Sequence, residues 1–313
     1  MTDVLHPFRF GIQASGSTTG AGWVDLARRA EANGYSCLTM PDHFTDQLAP
    51  VPALMAAASA TSTLRVGALV WDNDYKHPVV LAKELATIDL LSEGRLEIGL
   101  GAGWMISDYE QTGMAYDPAP VRIDRFVEGL EIIRRAMSGE RFSFEGSHYR
   151  IDGYVGRPLP AQRPCPPILI GGGGKRVLGI AGREADIVGI NGTMHEGRIG
   201  PGTLATMTAE AVDEKVGFVR AAAGGRFADI EMNIRIFMSK VTDDRNKALA
   251  DLAAGLGQPT KLLEETPFAL LGSPAKIVED LLARRQRWGF SYIIVGPEEL
   301  DSFAPVVAEL AGR

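Results

Sequence analysis

The chain has 313 residues, of which 45% are hydrophobic and 23% charged, so it can bury a full core as one barrel-sized domain or two ordinary ones. The net charge is −7 and the pI about 5.4, without a block of Lys and Arg, which makes nucleic acid and membrane surfaces poor partners. No segment reaches the ~20 consecutive apolar residues of a transmembrane helix.

The N-terminal sequence MTDVLHPFRFG has no basic region followed by an apolar run, so it does not resemble a signal peptide. The two cysteines, Cys37 and Cys165, lie far apart and lack metal-ligand spacing. We therefore expect two reduced thiols in a cytoplasmic protein.

Short apolar runs alternate with longer segments of helical period along the whole chain. The runs are typical of buried parallel strands and cover residues 8–14, 36–40, 65–71, 95–103, 168–171, 186–191, 233–241 and 291–296. One helical segment is opened by Ser273 and Pro274 and carries an apolar stripe at Ile277, Leu281 and Trp288.

Eight strands, each but the last followed by a helix, with a C-terminal helix from about Ser302, match the pattern of a (β/α)8 TIM barrel. A doubly wound sheet is the alternative, but at this length it would usually need a second domain, and no linker-like change in composition is present. We predict a single α/β TIM-barrel domain over residues 1–313.

Two insertions interrupt the predicted barrel. Residues 141–151 (RFSFEGSHYRI) alternate around a Glu-Gly pair and predict a hairpin after helix four. Residues 191–203 (NGTMHEGRIGPGT) follow strand six and therefore lie at the carboxyl ends of the strands, where barrel enzymes place their active sites. This Gly-rich loop is a candidate lid or substrate loop.

Strand two ends in MPDHF, residues 40–44. Asp42 and His43 are adjacent, so they cannot point the same way along an extended strand, but one can support the other around a bend. A single histidine is often structural. The place of His43 at the end of a barrel strand favours a role in the site.

Strand three leads into VWDNDYKHP, residues 70–78. Pro78 suits the start of a helix and His77 its cap. Residues 71–74, with the sequence Trp-Asp-Asn-Asp, could line the barrel mouth or form a solvated loop. Residue type alone leaves both interpretations open.

Strand four ends in RLEIGLGAGW, residues 95–104. Its G-x-G-x-G spacing and its place in the fourth unit do not fit the G-x-G-x-x-G of a Rossmann fold. We interpret Gly99 as relief of crowding inside the barrel. Residues 101–103 could offer bare backbone to a flat ring, with Trp104 as a wall of the pocket.

The stretch PPILIGGGGKR, residues 166–176, is an apolar strand followed at once by four glycines and a helix. Glycines before a helix N-terminus expose backbone N–H groups to an anion, which the helix dipole also favours. We predict that the glycine run 171–174 contacts a phosphate, with Lys175 and Arg176 adding positive charge. The spacing of a P-loop is absent.

Other chemistries find less support in the sequence. Five scattered histidines, without H-x-H or H-E-x-x-H, do not predict a metal site. No G-x-S-x-G elbow is present. A Schiff-base aldolase would need a lysine inside a strand, and Lys240, at the predicted end of strand seven, is the candidate.

Five segments together resemble the luciferase-like monooxygenase superfamily: FGIQAS, PDHF, GRLEIGLGAGW followed by DYE, PPILIGGGGKRV, and LLGSPAKIVEDL with WGF. Each segment is weak alone, but the combination is specific and covers essentially the whole chain. Within the superfamily the chain is most similar to oxidoreductases that use the deazaflavin coenzyme F420.

The resemblance implies a TIM barrel that holds F420, or alternatively FMN, across the carboxyl ends of the strands. It implies a non-prolyl cis peptide bond at Ala68-Leu69 or one residue later, against the back of the ring. It also implies that the backbone at Gly101, Ala102 and Gly103 flanks the cofactor.

The phosphate of the cofactor would then lie on residues 172–174 and Lys175. His43, with Asp42, would lie beside the ring where the hydride is transferred. We expect His43 to supply or accept the accompanying proton and Asp42 to set its tautomer.

The chain departs from the superfamily's sugar-phosphate dehydrogenases at three places. Their Glu after the strand-four glycines is Trp104 here, their Trp four residues after the histidine is Gln47, and their Lys in the loop after strand six is replaced by Met194 and His195. Glucose 6-phosphate is therefore not the expected substrate. We expect a small apolar or aromatic substrate in a pocket lined by Trp71, Trp104, Met105, Asn191 and Met194.

Three alternatives to an F420-dependent oxidoreductase stay open. They are an FMN-dependent monooxygenase on the same barrel, a non-catalytic flavin-binding relative, and a phosphate-binding aldolase or isomerase. The resemblance also favours a homodimer, with no nucleic acid or membrane partner.

Overall fold

Eight parallel strands close into a barrel in the computed structural model, which describes residues 5–313. The strands of the described residues are β1 (Arg9–Gln13), β2 (Cys37–Met40), β3 (Arg65–Ala68), β4 (Trp71–Asp72), β5 (Leu96–Gly101), β6 (Arg141–Glu145), β7 (Arg150–Val155), β8 (Ile168–Gly172), β9 (Ile187–Ile190), β10 (Glu231–Arg235), β11 (Met238–Val241), β12 (Ala269–Gly272) and β13 (Phe290–Val295). Barrel neighbours follow the order β1, β2, β3, β5, β8, β9, β10, β13, and β13 pairs back to β1. The TIM-barrel prediction is confirmed.

Helices surround the barrel and also occur in the loops at its carboxyl end. They are α1 (Gly20–Ala32), α2 (Pro50–Ser59), α3 (Pro78–Leu91), α4 (Ile106–Thr112), α5 (Ala119–Ser138), α6 (Lys175–Glu184), α7 (Pro201–Ala205), α8 (Ala209–Ala223), α9 (Arg245–Leu256), α10 (Thr260–Glu265), α11 (Pro274–Trp288) and α12 (Ala304–Leu310). Within residues 5–313, none of them is long and apolar enough to span a membrane.

Local signals place the helix ends as predicted. Ser273 caps α11 by accepting a hydrogen bond from the Lys276 amide, and Gly289 ends it with a φ of 80°. His77 Nδ1 accepts from the Val79 amide at 3.3 Å and caps α3.

The first four residues, part of the segment used for the signal-peptide prediction, lie outside the described residues.

The predicted seventh strand is wrong in one respect, because its run of apolar residues is split between two sheets. β10 ends at Arg235, the Ile236 amide still bonds to the Ile294 carbonyl, and Phe237 then turns away to bond to Phe268. The continuation, β11, pairs in parallel with β12 outside the barrel. Lys240 lies exposed on β11, so it is not a lumenal lysine and the aldolase interpretation loses its candidate.

Both predicted insertions are present. β6 and β7 form an antiparallel hairpin, somewhat longer than residues 141–151. The loop that starts at residue 191 follows β9 at the carboxyl end of the barrel and contains the short helix α7.

At the amino ends of the strands, the barrel lumen is closed by ion pairs. Arg9 binds both Glu97 and Glu231, and Arg65 binds Glu97 at 2.8 Å. The Arg9 guanidinium lies 3.5 Å from the centroid of the Tyr292 ring. Buried, paired charges at the amino end are typical of the face of a barrel that contributes to stability and not to catalysis.

Candidate functional site

Leu69 and Val70 close the carboxyl end of the barrel lumen and are joined by a cis peptide bond. They pack against five side chains of the surrounding strands that point into the lumen: Cys37, Leu169, Ile187, Tyr292 and Ile294. Gln13 Nε2 donates to the Leu69 carbonyl at 2.9 Å. The cis bond thus lies at the second of the two expected positions, and Ala68-Leu69 is not the cis pair.

Glycines of β5 and β8 make room for Val70. A Cβ on Gly101 would lie 2.5 Å from Val70 Cγ2, and one on Gly171 would lie 3.2 Å from Cγ1. A Cβ on Gly99 would collide with the Ala68 carbonyl, which confirms the packing role predicted for Gly99. Gly101 is therefore required by packing within the protein itself.

Gly103 is also required by its protein neighbours. Its φ is 75°, and a Cβ there would collide with the Tyr109 hydroxyl and lie 2.8 Å from Asp72 Oδ2. Ala102 is partly buried against the core. Contact of residues 101–103 with a cofactor ring stays a prediction, since bare backbone at these positions already has a structural reason.

His43 is held by Asp108, not by Asp42. The His43 Nδ1 lies 2.6 Å from Asp108 Oδ2, whereas Asp42 Oδ2 accepts from the Asp72 amide at 3.3 Å. The expected pairing of Asp42 with His43 is wrong, since the two side chains bind different segments of the chain. Asp42 instead binds β4, through the amide of Asp72.

Asp108 collects three donors. Besides His43, the Tyr75 hydroxyl donates to its Oδ2 at 2.8 Å and the Phe44 amide to its Oδ1 at 3.2 Å. Asp108 is 2% exposed in the first turn of α4. Sequence reasoning missed it, although it lies in the DYE segment after GAGW and is the carboxylate nearest to that strand end.

The mouth of the barrel beside His43 is aromatic. The Trp104 ring meets the His43 ring edge-on, with 5.5 Å between the centroids. Met105 is the N-cap residue of α4. Trp71, by contrast, is 1% exposed within the core, and its indole Nε1 has no hydrogen-bond partner among residues 5–313, so it does not form an open wall.

Three carboxylates surround the end of β4: Asp72 is buried, and Asp42 and Asp74 are partly buried. The Tyr109 hydroxyl lies 3.2 Å from Asp72 Oδ2 and 3.1 Å from Asp74 Oδ2 and donates to one of them. Burial, together with the charges of Asp74 and Asp42, raises the pKa of Asp72 to about 7. Burial also raises the pKa of Asp42. The solvated-loop interpretation of residues 71–74 is therefore wrong.

The four-glycine run ends at an uncapped helix. α6 begins at Lys175 after Gly174, and no side chain caps its first turn. A Cβ on Gly173 would collide with the Gly192 carbonyl, and one on Gly172 would lie 2.6 Å from a side chain of α6. A Cβ on Gly174 would meet nothing within 4 Å. This end of the run is therefore the one that faces open space.

The two cations after the glycines have different partners. Arg176 forms an ion pair with Asp124 of α5. The exposed Lys175 places its Nζ 5.3 Å from the centroid of the Phe218 ring on α8. Phosphate contact by Lys175 stays a prediction.

The loop after β9 docks on the start of α4. Ile106, the first residue of α4, donates its amide to the Gly197 carbonyl at 3.0 Å. A Cβ on Gly197, whose φ is 65°, would lie 2.6 Å from the Tyr116 hydroxyl and 2.9 Å from the Trp104 carbonyl. The loop thus reaches Trp104, beside His43, as a lid over the site would.

The two predicted pocket residues of this loop contact the loop itself. Asn191 Oδ1 accepts from the Gly192 amide at 2.7 Å. The Thr203 hydroxyl donates to Met194 Sδ at 3.8 Å. Their contact with a substrate stays a prediction.

Comparison with known proteins places these features in a family. Residues 1–267 match the sequence model of the family described as luciferase-like monooxygenase. The chain is 28% identical over 235 residues to the FMNH2-dependent dimethylsulfone monooxygenase of Pseudomonas putida, which covers 73% of this chain and 61% of the relative. It is 32% identical over 189 residues to the F420-dependent glucose-6-phosphate dehydrogenase of Nakamurella multipartita, covering 58% and 55%.

The fold has a solved counterpart. The coenzyme F420-dependent tetrahydromethanopterin reductase of Methanopyrus kandleri superposes with a TM-score of 0.79 at 18% identity, covering 97% of this chain and 99% of the other. The sequence matches span less than two thirds of the curated relatives' own length. With residues 1–267 matched, the chain belongs to the luciferase-like monooxygenase family of oxidoreductases.

Proposed function

We propose that this protein is an F420-dependent oxidoreductase that transfers a hydride between the deazaflavin and a small apolar or aromatic substrate. The observation that supports this most directly is the His43–Asp108 pair at the carboxyl end of the barrel. An oriented imidazole beside an aromatic mouth is a group suited to moving one proton next to a bound ring.

The residues at the barrel mouth fit a flavin-like cofactor. Gly174 and the uncapped first turn of α6 leave backbone N–H groups and open space for a phosphate. Leu69 and Val70 form an apolar floor at the centre, on which one face of a ring can rest. The chemistry supplied by a bound deazaflavin is hydride transfer at C5, to or from a C=C, C=N or C=O bond.

His43 holds the proton that accompanies the hydride. Asp108 already accepts hydrogen bonds from Tyr75 and Phe44, and burial raises the pKa of the Tyr75 hydroxyl, so Tyr75 remains a donor. Asp108 is thus an acceptor for His43 Nδ1–H, which leaves Nε2 as the atom that gives or takes the proton. Asp108 fixes the ring orientation and the tautomer.

The loop from residue 191 excludes water from this proton. Its Gly197 carbonyl binds the first amide of α4, the helix that carries Asp108. The docked loop therefore has two effects: it supports the helix that carries Asp108, and it covers the mouth of the barrel. Trp104 supplies an aromatic wall where sugar-phosphate dehydrogenases of the family have an acid, so glucose 6-phosphate is not the proposed substrate.

An FMN-dependent monooxygenase is the second candidate. The relative with an FMNH2-dependent activity matches more of this chain, 73%, than the F420-dependent relative does at 58%. The same glycines and the same apolar floor would accept either cofactor, because both carry a phosphate and a flat tricyclic ring.

Fluorescence titration of the pure protein with F420 and, separately, with FMN tests the cofactor. We expect micromolar binding of F420, much weaker binding of FMN, and no oxygen uptake when the reduced complex is exposed to air. Tight FMN binding with oxygen uptake would replace the proposal by the monooxygenase. Tight binding with no turnover of any offered substrate would indicate a flavin-binding protein without catalysis.

We also propose that the protein is a homodimer. The outer face of α3 exposes Val80, Leu90 and Leu91, which are 50%, 46% and 62% exposed in the single chain. A second copy is the partner that the family resemblance favours. Light scattering should give twice the mass of one chain, and a monomer at micromolar concentration would contradict the proposal.

A further inference from the structure

A buried lysine lies beneath the loop that follows β9. Lys215 of α8 is 4% exposed, and its Nζ donates to the Asn191 carbonyl at 2.7 Å and to the Thr206 carbonyl at 2.6 Å. Asn191 is the first residue after β9, and Thr206 follows α7. One ammonium group therefore holds both ends of the segment 191–206.

The same segment forms a wall of the four-glycine run. The Asn191 amide donates to the Gly172 carbonyl at 2.9 Å, and the Thr193 hydroxyl donates to the Gly173 carbonyl at 3.0 Å. The Thr193 amide in turn donates to Thr206 Oγ1 at 2.8 Å. A shift of the segment would therefore move the carbonyls of Gly172 and Gly173.

Burying an ammonium group at this position costs free energy of desolvation, which its hydrogen bonds must offset. Burial lowers the pKa of Lys215 to about 8, and the charge of Glu214 opposes this shift only in part. Its two partners are neutral backbone carbonyls, which an apolar side chain could not satisfy. The ammonium group thus loses its hydration and joins two chain segments in return, whereas the side chain of Lys261 is 80% exposed.

We propose that Lys215 is a positioning residue for the phosphate end of the cofactor site. It fixes the segment 191–206 and, through Asn191 and Thr193, sets the position of Gly172 and Gly173 before the ligand arrives. The identity of the ligand rests on the proposed function, whereas the positioning of the loop does not.

Hydrogen exchange of the protein without cofactor tests the positioning directly. In Lys215→Met, which keeps the length of the side chain but removes the donors, amides of residues 191–207 should exchange at least tenfold faster. Exchange of β5 should stay as in the parent protein. Lys215→Arg should restore slow exchange, because it keeps donors and charge. Lys261→Met is the matched control on an exposed site and should change nothing.

Cofactor titration with F420 and with FMN gives the second readout. Lys215→Met should raise the dissociation constant of whichever cofactor binds at least tenfold. Thr193→Val, which removes only the hydroxyl bond to Gly173, should raise the dissociation constant severalfold. This variant keeps the test possible if Lys215→Met does not fold.

The outcomes separate this inference from the proposed function. Unchanged exchange of residues 191–207 in Lys215→Met, or unchanged affinity in both Lys215→Met and Thr193→Val, would overturn the positioning role. A parent protein that binds neither cofactor would contradict the proposed function. Faster loop exchange in Lys215→Met would still support Lys215 as the residue that holds the loop.

Discussion

The two ends of the barrel lumen differ in whether their charged side chains are paired. At the amino end, Arg9 and Arg65 are neutralised by Glu97 and Glu231. Burial alone would raise the pKa of Glu97, but the two arginines outweigh it, so that its pKa lies below the usual range.

At the carboxyl end, some partly or fully buried charges have no ion-pair partner within residues 5–313, although Asp74 lies 3.6 Å from Arg125. Arg235 donates to Gln13 Oε1 at 2.9 Å and to the Ile236 carbonyl, and within residues 5–313 no carboxylate lies at ion-pair distance. Burial lowers its pKa to about 10. At the same end, burial raises the pKa of Asp72 to about 7.

The difference separates stability from function. A closed end with paired charges holds the strands together, and its groups have no proton to exchange near neutral pH. An open end with half-satisfied groups is less stable than it could be, and this is the condition under which a bound ligand or a transferred proton can complete the arrangement.

The largest effect is expected from His43→Ala. Removal of the imidazole should lower kcat by about 10²- to 10⁴-fold, the usual contribution of a general acid or base. Cofactor affinity should stay within twofold, because His43 is not part of the glycine run. Steady-state kinetics and fluorescence titration measure the two, with His148→Ala on the hairpin as the control. Unchanged turnover would remove His43 from the mechanism.

Glu97→Gln should break the closed end without touching the open end. Glu97 has a side chain that is 6% exposed between Arg9 and Arg65. Its neutralisation leaves buried cations unpaired and should cost about 3–5 kcal/mol of unfolding free energy in denaturant titration. Activity per folded molecule should not change.

The matched control for Glu97→Gln is Glu184→Gln. Its partner is Arg134, and its side chain is 42% exposed. We expect a loss of less than about 1 kcal/mol, as for other surface pairs. Equal losses in the two variants would contradict the distinction between a buried and an exposed ion pair.

Asp108→Asn should have a smaller effect than loss of the histidine. The amide keeps the shape but cannot accept from His43, Tyr75 and Phe44 as the carboxylate does, so the imidazole loses its fixed tautomer. We expect kcat to fall about 10- to 10²-fold. The effect should vanish in the His43→Ala background, and additive losses would show that Asp108 acts independently.

How far the sequence predicts this molecule depends on the range of the contacts involved. The barrel could be predicted because each strand is a local apolar run, and α11 because Ser273 and Gly289 mark its ends. The departure of the chain from the barrel at Phe237 could not, since the apolar pattern continues through it and only the pairing of β11 with β12 distinguishes the two strands.

The site shows the same limit. The glycine run, His43 and the loop that starts at residue 191 can be selected from the sequence as candidates because they stand at strand ends. Asp108 was missed because its bond to His43 spans 65 residues of sequence and depends on how α4 lies across the mouth. Asp42 is adjacent to His43 in sequence, but its carboxylate accepts from the Asp72 amide, so adjacency in sequence is misleading here.

The smallest effect concerns the pH dependence of stability. The pKa of Asp72 is raised in the folded state from an ordinary value of 3.8 to about 7. Between these values the folded state binds a proton that the unfolded state releases, so this group makes stability fall as the pH rises from 4 to 7.

Asp72→Asn should remove that contribution. Its unfolding free energy at pH 8, relative to pH 5, should improve over the parent protein by about 2 kcal/mol, less than the full value of the shift because the site relaxes. Asp243→Asn, on an exposed loop, serves as the control. An identical pH trend in the parent and in Asp72→Asn would contradict a proton held at Asp72.

The most direct test of the proposed cofactor site is to measure cofactor binding by Gly174→Val. A Cβ on Gly174 meets no protein atom within 4 Å, and its φ of −91° suits a β-branched residue. The variant should therefore melt within about 2 °C of the parent protein. Gly255→Val on α9, where a Cβ also meets nothing within 4 Å, is the control.

If the open end of the glycine run holds the phosphate, Gly174→Val should weaken binding of F420 or FMN at least tenfold while Gly255→Val leaves it unchanged. An unchanged dissociation constant in a folded Gly174→Val protein would contradict the assignment of this end of the barrel to the cofactor.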